Sequence, residues 1–158
     1  FNLDEEPMQA RKPEHFPLNH VDEIVRKLRN KNKWFLFINC PETHYPYDFG
    51  EGIDERVVVE MQAARKMLNL RESEVDLSSD FFAKLFALQV KALESIDKKL
   101  KVLLSQLPKH RKILVVICAD HGEMFGEEFE GQRRWGHMIA APEVMQVPLV
   151  IGEISHEK

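Results

Sequence analysis

The sequence predicts an α/β fold, a layered sheet flanked by helices, and three observations carry that prediction. Short apolar runs at 34–40, 113–119 and 147–151 have the length of strands. Between them lie longer segments whose apolar residues recur at helical spacing. Helices alternating with apolar strands build a layered sheet. At 158 residues the chain is read as a single domain.

Residues 1–18 hold Pro7, Pro13 and Pro17 among charges and read as an irregular lead-in. The opening Phe1-Asn2-Leu3-Asp4-Glu5-Glu6 is neither a Met start nor a signal peptide, so the expectation is a chain that begins partway through a longer protein. Asn19 is placed to cap a helix from His20 to Arg29, with Val21, Ile24, Val25 and Leu28 on one face. Trp34 to Cys40 is apolar, rich in aromatics and stopped by Pro41. It reads as a strand buried on both faces, as in a parallel sheet. Residues 41–52 carry turn chemistry, and 54–69 read as a second helix. Ser78, Ser79 or Asp80 then caps a long helix to about Leu107. Its stripe is Phe82, Leu85, Phe86, Leu88, Leu93, Ile96, Leu100, Leu103 and Leu104, and Pro108 stops it. Ile113 to Ala119 is the second buried strand, and Val147 to Ile151 is the third. The span 120–141 between them reads as a charged, glycine-bearing loop with room for one short helix.

The formal net charge is −4, with both signs mixed along the chain, and there is no basic stripe to suggest nucleic acid. No apolar run approaches the ~20 residues of a membrane-spanning helix. Cys40 and Cys118 each sit at the end of an apolar run and read as small buried hydrophobes. Two cysteines do not make a disulfide framework, which fits a reducing, cytoplasmic compartment better than an oxidising one.

In open α/β sheets ligands bind outside the carboxyl ends of strands. Two polar clusters stand there: Pro41-Glu42-Thr43-His44-Tyr45-Pro46-Tyr47 after the first strand, and Asp120-His121-Gly122-Glu123 after the second, with Trp135-Gly136-His137 beyond. Asp120 offers a hard oxygen and His121 a borderline nitrogen, a mixture that suits Zn or Mn better than Ca. The plainer reading makes Asp120 a helix cap and His121 a solvated loop residue. Glu123 reads either as a group supporting a metal site or as an exposed side chain. His44 and His137 taken singly read as turn or surface histidines. Glu127, Glu128 and Glu130 read as a solvated acidic face.

In series, these segments resemble sulfatase-like hydrolases of the alkaline phosphatase superfamily. Phe35-Leu36-Phe37-Ile38-Asn39 followed by His44-Tyr45-Pro46-Tyr47 is similar to that family's strand and His-x-Pro-Tyr segment. The apolar strand ending in Ala119-Asp120-His121-Gly122-Glu123, then Gly136-His137, then Val147-Pro148-Leu149-Val150-Ile151, keeps the family's order over about residues 18–152. The resemblance implies an alkaline-phosphatase-like fold, here in part. It implies that Asp120 and His121 are ligands of a divalent metal (Zn, Mn or Ca), and that the substrate is a small-molecule sulfate or phosphate ester. It implies that His44 binds the anionic group, and that His137 contacts it or protonates the leaving group. A histidine at 137 resembles phosphoethanolamine-type transferases, where many sulfatases have lysine.

The family's nucleophile lies on an N-terminal segment with further acidic ligands, and no such segment is found here. The expectation is therefore a C-terminal portion whose N-terminal half is missing, with weak turnover by itself. A phosphodiester or phosphonate hydrolase, or a non-catalytic relic serving as a binding module, are the alternative readings.

Overall fold

The computed structural model describes residues 13–47, 59, 79–108 and 112–155. The chain divides into two compact units, Phe1–Gln106 and Leu107–Lys158.

The first unit is helical in its described part. The described end of the lead-in and the residues after it form two 3-10 turns, Pro13–His15 and Pro17–His20, and the second runs directly into α1 (Val21–Leu28). Asn19 lies inside that turn, with its N–H donating to the Phe16 carbonyl at 2.9 Å, so it does not cap α1 as expected. Proline suits the first residue of each turn because its missing N–H would have no partner there. On α1, Val21, Val25 and Leu28 are buried at the i, i+4, i+7 spacing of a single face. The long helix α2 spans Ser79–Gln106, close to the expected limits. α1 packs against α2, and so does the short turn Pro41–Thr43.

Phe82, Leu85 and Leu103 of the expected stripe are buried, together with Phe81 and Ala92. Phe86 and Leu93 are exposed, a correction to the stripe. An apolar stripe wider than the surface available to cover it leaves its margin in solvent. The expected helix at 54–69 lies outside the described residues.

The expected strand at 34–40 is not a strand. These residues take no regular secondary structure, and their burial alternates: Phe35 is 90 % and Phe37 78 % exposed, while Trp34, Leu36 and Ile38 are half-buried. Alternation is the signature of extended chain with one covered face. Among the described residues no neighbouring strand completes a ladder, which is what burial on both faces requires.

The second unit holds two antiparallel pairs. β1 (Ile113–Cys118) and β4 (Leu149–Ile154) pair with Ile113 opposite Ile154 and Cys118 opposite Leu149. The parallel, doubly buried arrangement is thus corrected to an antiparallel pair, with Leu114, Val116 and Ile151 exposed. Cys118 is exposed and Cys40 half-buried, so neither is the fully buried thiol expected.

The supposed loop between these strands is a hairpin, β2 (Met124–Phe129) and β3 (Gln132–Gly136). Its turn places Glu130 and Gly131 both at positive φ, 53° and 73°. That pair of angles makes the type I′ turn, whose twist matches the strands it joins. Between Phe125 and Glu128 the register shifts, so two residues of β2 face one of β3. A short helix α3 (Pro142–Met145) follows. Met124, Ala141 and Val144 form the small core beneath the hairpin, joined by Phe129 and Ile139.

Candidate functional site

The second unit brings four polar residues together. β1 ends at Cys118, and the chain delivers Asp120, His121, Gly122 and Glu123 before β2 begins. Gly122 holds this stretch in place by close backbone approach. Its N–H donates to the Val144 carbonyl at 2.8 Å, and a Cβ on it would stand 2.0 Å from the Glu143 carbonyl oxygen. No residue with a side chain fits without moving α3. His137 arrives from the other direction, just after β3, and its ring stacks on that of His121 with centroids 4.0 Å apart and planes at 24°.

Each histidine has its Nδ1 against an oxygen. His121 Nδ1 lies 2.8 Å from the Gly122 carbonyl. A carbonyl can only accept, so Nδ1 carries a proton, and in the neutral ring the lone pair is on Nε2. This is how a backbone carbonyl orients a metal-binding imidazole. His121 Nε2 is 3.8 Å from Asp120 Oδ2. Two donors bound at about 2.0–2.1 Å to one ion stand at most about 4 Å apart, so this pair can share an ion. Asp120 is 91 % exposed, and its Oδ1 accepts from the His121 backbone N–H at 3.1 Å. The donor set of one carboxylate and one imidazole therefore fits a divalent cation that keeps much of its water. Asp120 takes a local backbone bond but starts no helix, which removes the capping alternative.

Glu123 is the residue the sequence left between two readings. It is nearly buried, at 6 %, and its carboxylate reaches His137 Nδ1 at 3.2 Å. His137 itself is 25 % exposed. His121, Glu123 and His137 place ligand-type atoms within 4.8 Å of one another. Only its place in the Asp-His-Gly-Glu run marks Glu123 in the sequence; its burial depends on the fold.

His44 belongs to the helical unit. It ends the Pro41–Thr43 turn, its Nδ1 lies 2.7 Å from the Tyr45 carbonyl, and its own carbonyl accepts from the Tyr47 N–H at 2.8 Å. The turn expected around Pro46 is thus present, with Tyr47 fully buried at a positive φ of 61°. Nearby, Cys40 is a poor nucleophile. Burial, and then the charge of Glu42, push its thiol up to about 11, against a smaller opposing pull from Lys99.

No curated protein and no solved structure matches this chain. The sulfatase family model matches residues 14–156, a span that reaches into both units and takes in His44, Asp120, His121, Glu123 and His137. The strand end bearing Asp120 and His121, with His137 stacked beside it, lies inside that match, and the chain belongs to the sulfatase family.

Proposed function

We propose that this chain forms part of a metal-dependent hydrolase of sulfuric or phosphoric esters, with Asp120 and His121 as metal ligands and His44 and His137 as the residues that meet the substrate anion. The observation that carries the reading is the 3.8 Å separation of Asp120 Oδ2 and His121 Nε2, with the His121 lone pair directed outward by the Gly122 carbonyl. A bound Zn, Mn or Ca ion would supply charge neutralisation for the nonbridging oxygens of the ester. His137 and His44 stabilise the same charge or donate a proton to the leaving group. The span of the family match across both units supports reading them as one domain.

A phosphoryl-transferring activity of the phosphoethanolamine or phosphodiester type is the second reading, favoured by histidine rather than lysine at 137. No residue of this chain is assigned as nucleophile. The high thiol value of Cys40 argues against it in that role.

Two ligands chelate weakly, because tight sites use three or four protein groups. Dialysis against Zn, Mn or Ca followed by elemental analysis should leave little metal on this chain. A Zn titration followed by NMR should perturb Asp120 and His121 first, and Asp120→Ala and His121→Ala should abolish that response. Stoichiometric metal that survives His121→Ala would place the site elsewhere and end the assignment. Turnover of an aryl sulfate or a bis-aryl phosphate should be weak or absent in the isolated chain. Robust turnover unaffected by Asp120→Ala would count equally against it.

A further inference from the structure

Glu123 is a nearly buried carboxylate in a small β unit, and burying a charged carboxylate is unfavourable unless a partner meets it. The partner is a specific atom: His137 Nδ1 lies 3.2 Å from Oε2 and 3.4 Å from Oε1. Gly136, immediately before His137, sits at φ +95°, a backbone conformation that side-chain-bearing residues rarely adopt. The ring is also held on its face by His121, at 4.0 Å. One imidazole is thus fixed by a carboxylate at its edge and by a second imidazole on its plane.

A single ion shared by His121, Glu123 and His137 is disfavoured by the same geometry. Rings 4.0 Å apart and only 24° from parallel confine their in-plane lone pairs to two nearly parallel planes. Such planes do not converge on one ion within a bond length of about 2.0–2.1 Å.

We propose that Glu123 is the positioning residue for His137: its carboxylate accepts the Nδ1 proton, fixing the tautomer and the ring so that Nε2 is the nitrogen turned to the substrate anion. The inference rests on the functional reading of His137 given above. An ionised carboxylate only accepts, so the pairing keeps a proton on Nδ1 and leaves Nε2 to face the anion. In the free neutral ring Nε2 holds the lone pair, and it donates to the anion or the leaving group only in the doubly protonated ring. The arrangement on His137 parallels that on His121, where a carbonyl does the same at Nδ1. The two stacked rings therefore carry the same tautomer for two different local reasons.

The test is a long-range proton–nitrogen correlation spectrum of the full chain, labelled with nitrogen-15 at histidine. It is recorded near pH 8.5, about two units above the ordinary imidazole value of roughly 6.5. His137 should show the Nδ1–H pattern in the unaltered chain. Glu123→Gln keeps an accepting oxygen and should retain that pattern. Glu123→Ala should lose it, giving an averaged or Nε2–H pattern. His121, held by Gly122, should be unchanged throughout and reports that the hairpin is still folded. A Glu123 that only fills space would leave the His137 tautomer unmoved in the alanine variant. An Nε2–H pattern in the unaltered chain, retention of Nδ1–H in Glu123→Ala, or its loss in Glu123→Gln overturns the proposal. Should Glu123→Ala fail to fold, the unaltered chain and Glu123→Gln still decide it. Titration with inorganic phosphate separates the two claims. If the tautomer is as expected but phosphate leaves His137 unmoved, the positioning role stands and the reading of His137 as an anion contact falls.

Discussion

The helical unit and the β unit bury their apolar residues to very different degrees. In the first, Phe16, Leu85, Ala92 and Leu103 are essentially without solvent contact. In the second, β1 is wholly apolar and β4 is apolar but for Gly152 and Glu153, yet Leu114, Val116, Leu149 and Ile151 lie open. The polar residues of the candidate metal pair belong to this second, less buried unit. A helix covers its stripe with one neighbour, whereas an apolar strand needs cover on two faces and a partner on each edge. A two-stranded ladder therefore remains exposed where a helix pair does not.

The largest expected effect lies in the helical core. Leu85→Ala should cost roughly 2–5 kcal/mol, since it removes a fully buried side chain from a packed helix face. Urea denaturation followed by far-ultraviolet circular dichroism measures it, and a loss under 1 kcal/mol would show that the contrast between the units is not energetic.

Glu42 breaks the contrast from inside the well-packed unit. It is fully buried, and neither carboxylate oxygen has a hydrogen-bond partner among the described residues. Glu42→Met keeps the approximate shape without the unmet oxygens and should raise stability by about 1–3 kcal/mol. A destabilised variant would mean that the carboxylate is needed there.

Cys40 gives a third effect. With its thiol at about 11 against 9.0 for a free side chain, the thiolate fraction at pH 8 falls about 100-fold. Greater intrinsic nucleophilicity recovers about tenfold of that, leaving alkylation about tenfold slower than for a peptide thiol. Glu42→Met should speed it, because one cause of the shift is removed. For stability the sign is fixed by the direction. The folded state holds the proton more tightly, so this contribution is complete below about pH 9 and fades as pH rises through about 11. Iodoacetamide kinetics with mass-spectrometric readout of each cysteine checks the rate. An alkylation rate equal to that of a peptide thiol removes the argument.

The smallest effect is expected on the open strands. Leu114→Ser, at an exposed position of β1, should change stability by no more than about 0.5 kcal/mol. A loss above 2 kcal/mol in the same denaturation assay would show that this face is covered in solution.

The comparison also shows where the sequence was legible. α1 and α2 were readable to within a residue or two because 3.6-residue periodicity encodes both the element and the buried side. β1 and β4 were readable as strands, but their direction was not. Uniformly apolar runs suggest parallel neighbours, and pairing depends on residues far away in the chain. The β2–β3 hairpin was missed because its turn is Glu130-Gly131 rather than the usual Asn-Gly or Asp-Gly, and because its charged strands looked like a solvated loop. At the site, Asp120 and His121 stood out by chemistry, and His137 only through the family resemblance. Glu123 stayed between two readings, because a buried carboxylate shows itself only once the partner 14 positions away is folded against it.

The close approach at Gly122, where a Cβ would stand 2.0 Å from the Glu143 carbonyl oxygen, makes the Asp120–His121 pair dependent on a segment some twenty residues downstream. The glycine is seated against Glu143 and Val144, so α3 acts as the anvil on which the ligand loop is set. An insertion or proline shift within 142–145 would displace both donors while leaving every residue of the Asp-His-Gly motif intact. In a divergent relative, whether the motif is still poised to hold an ion is therefore written partly in Pro142 to Met145, where no ligand resides.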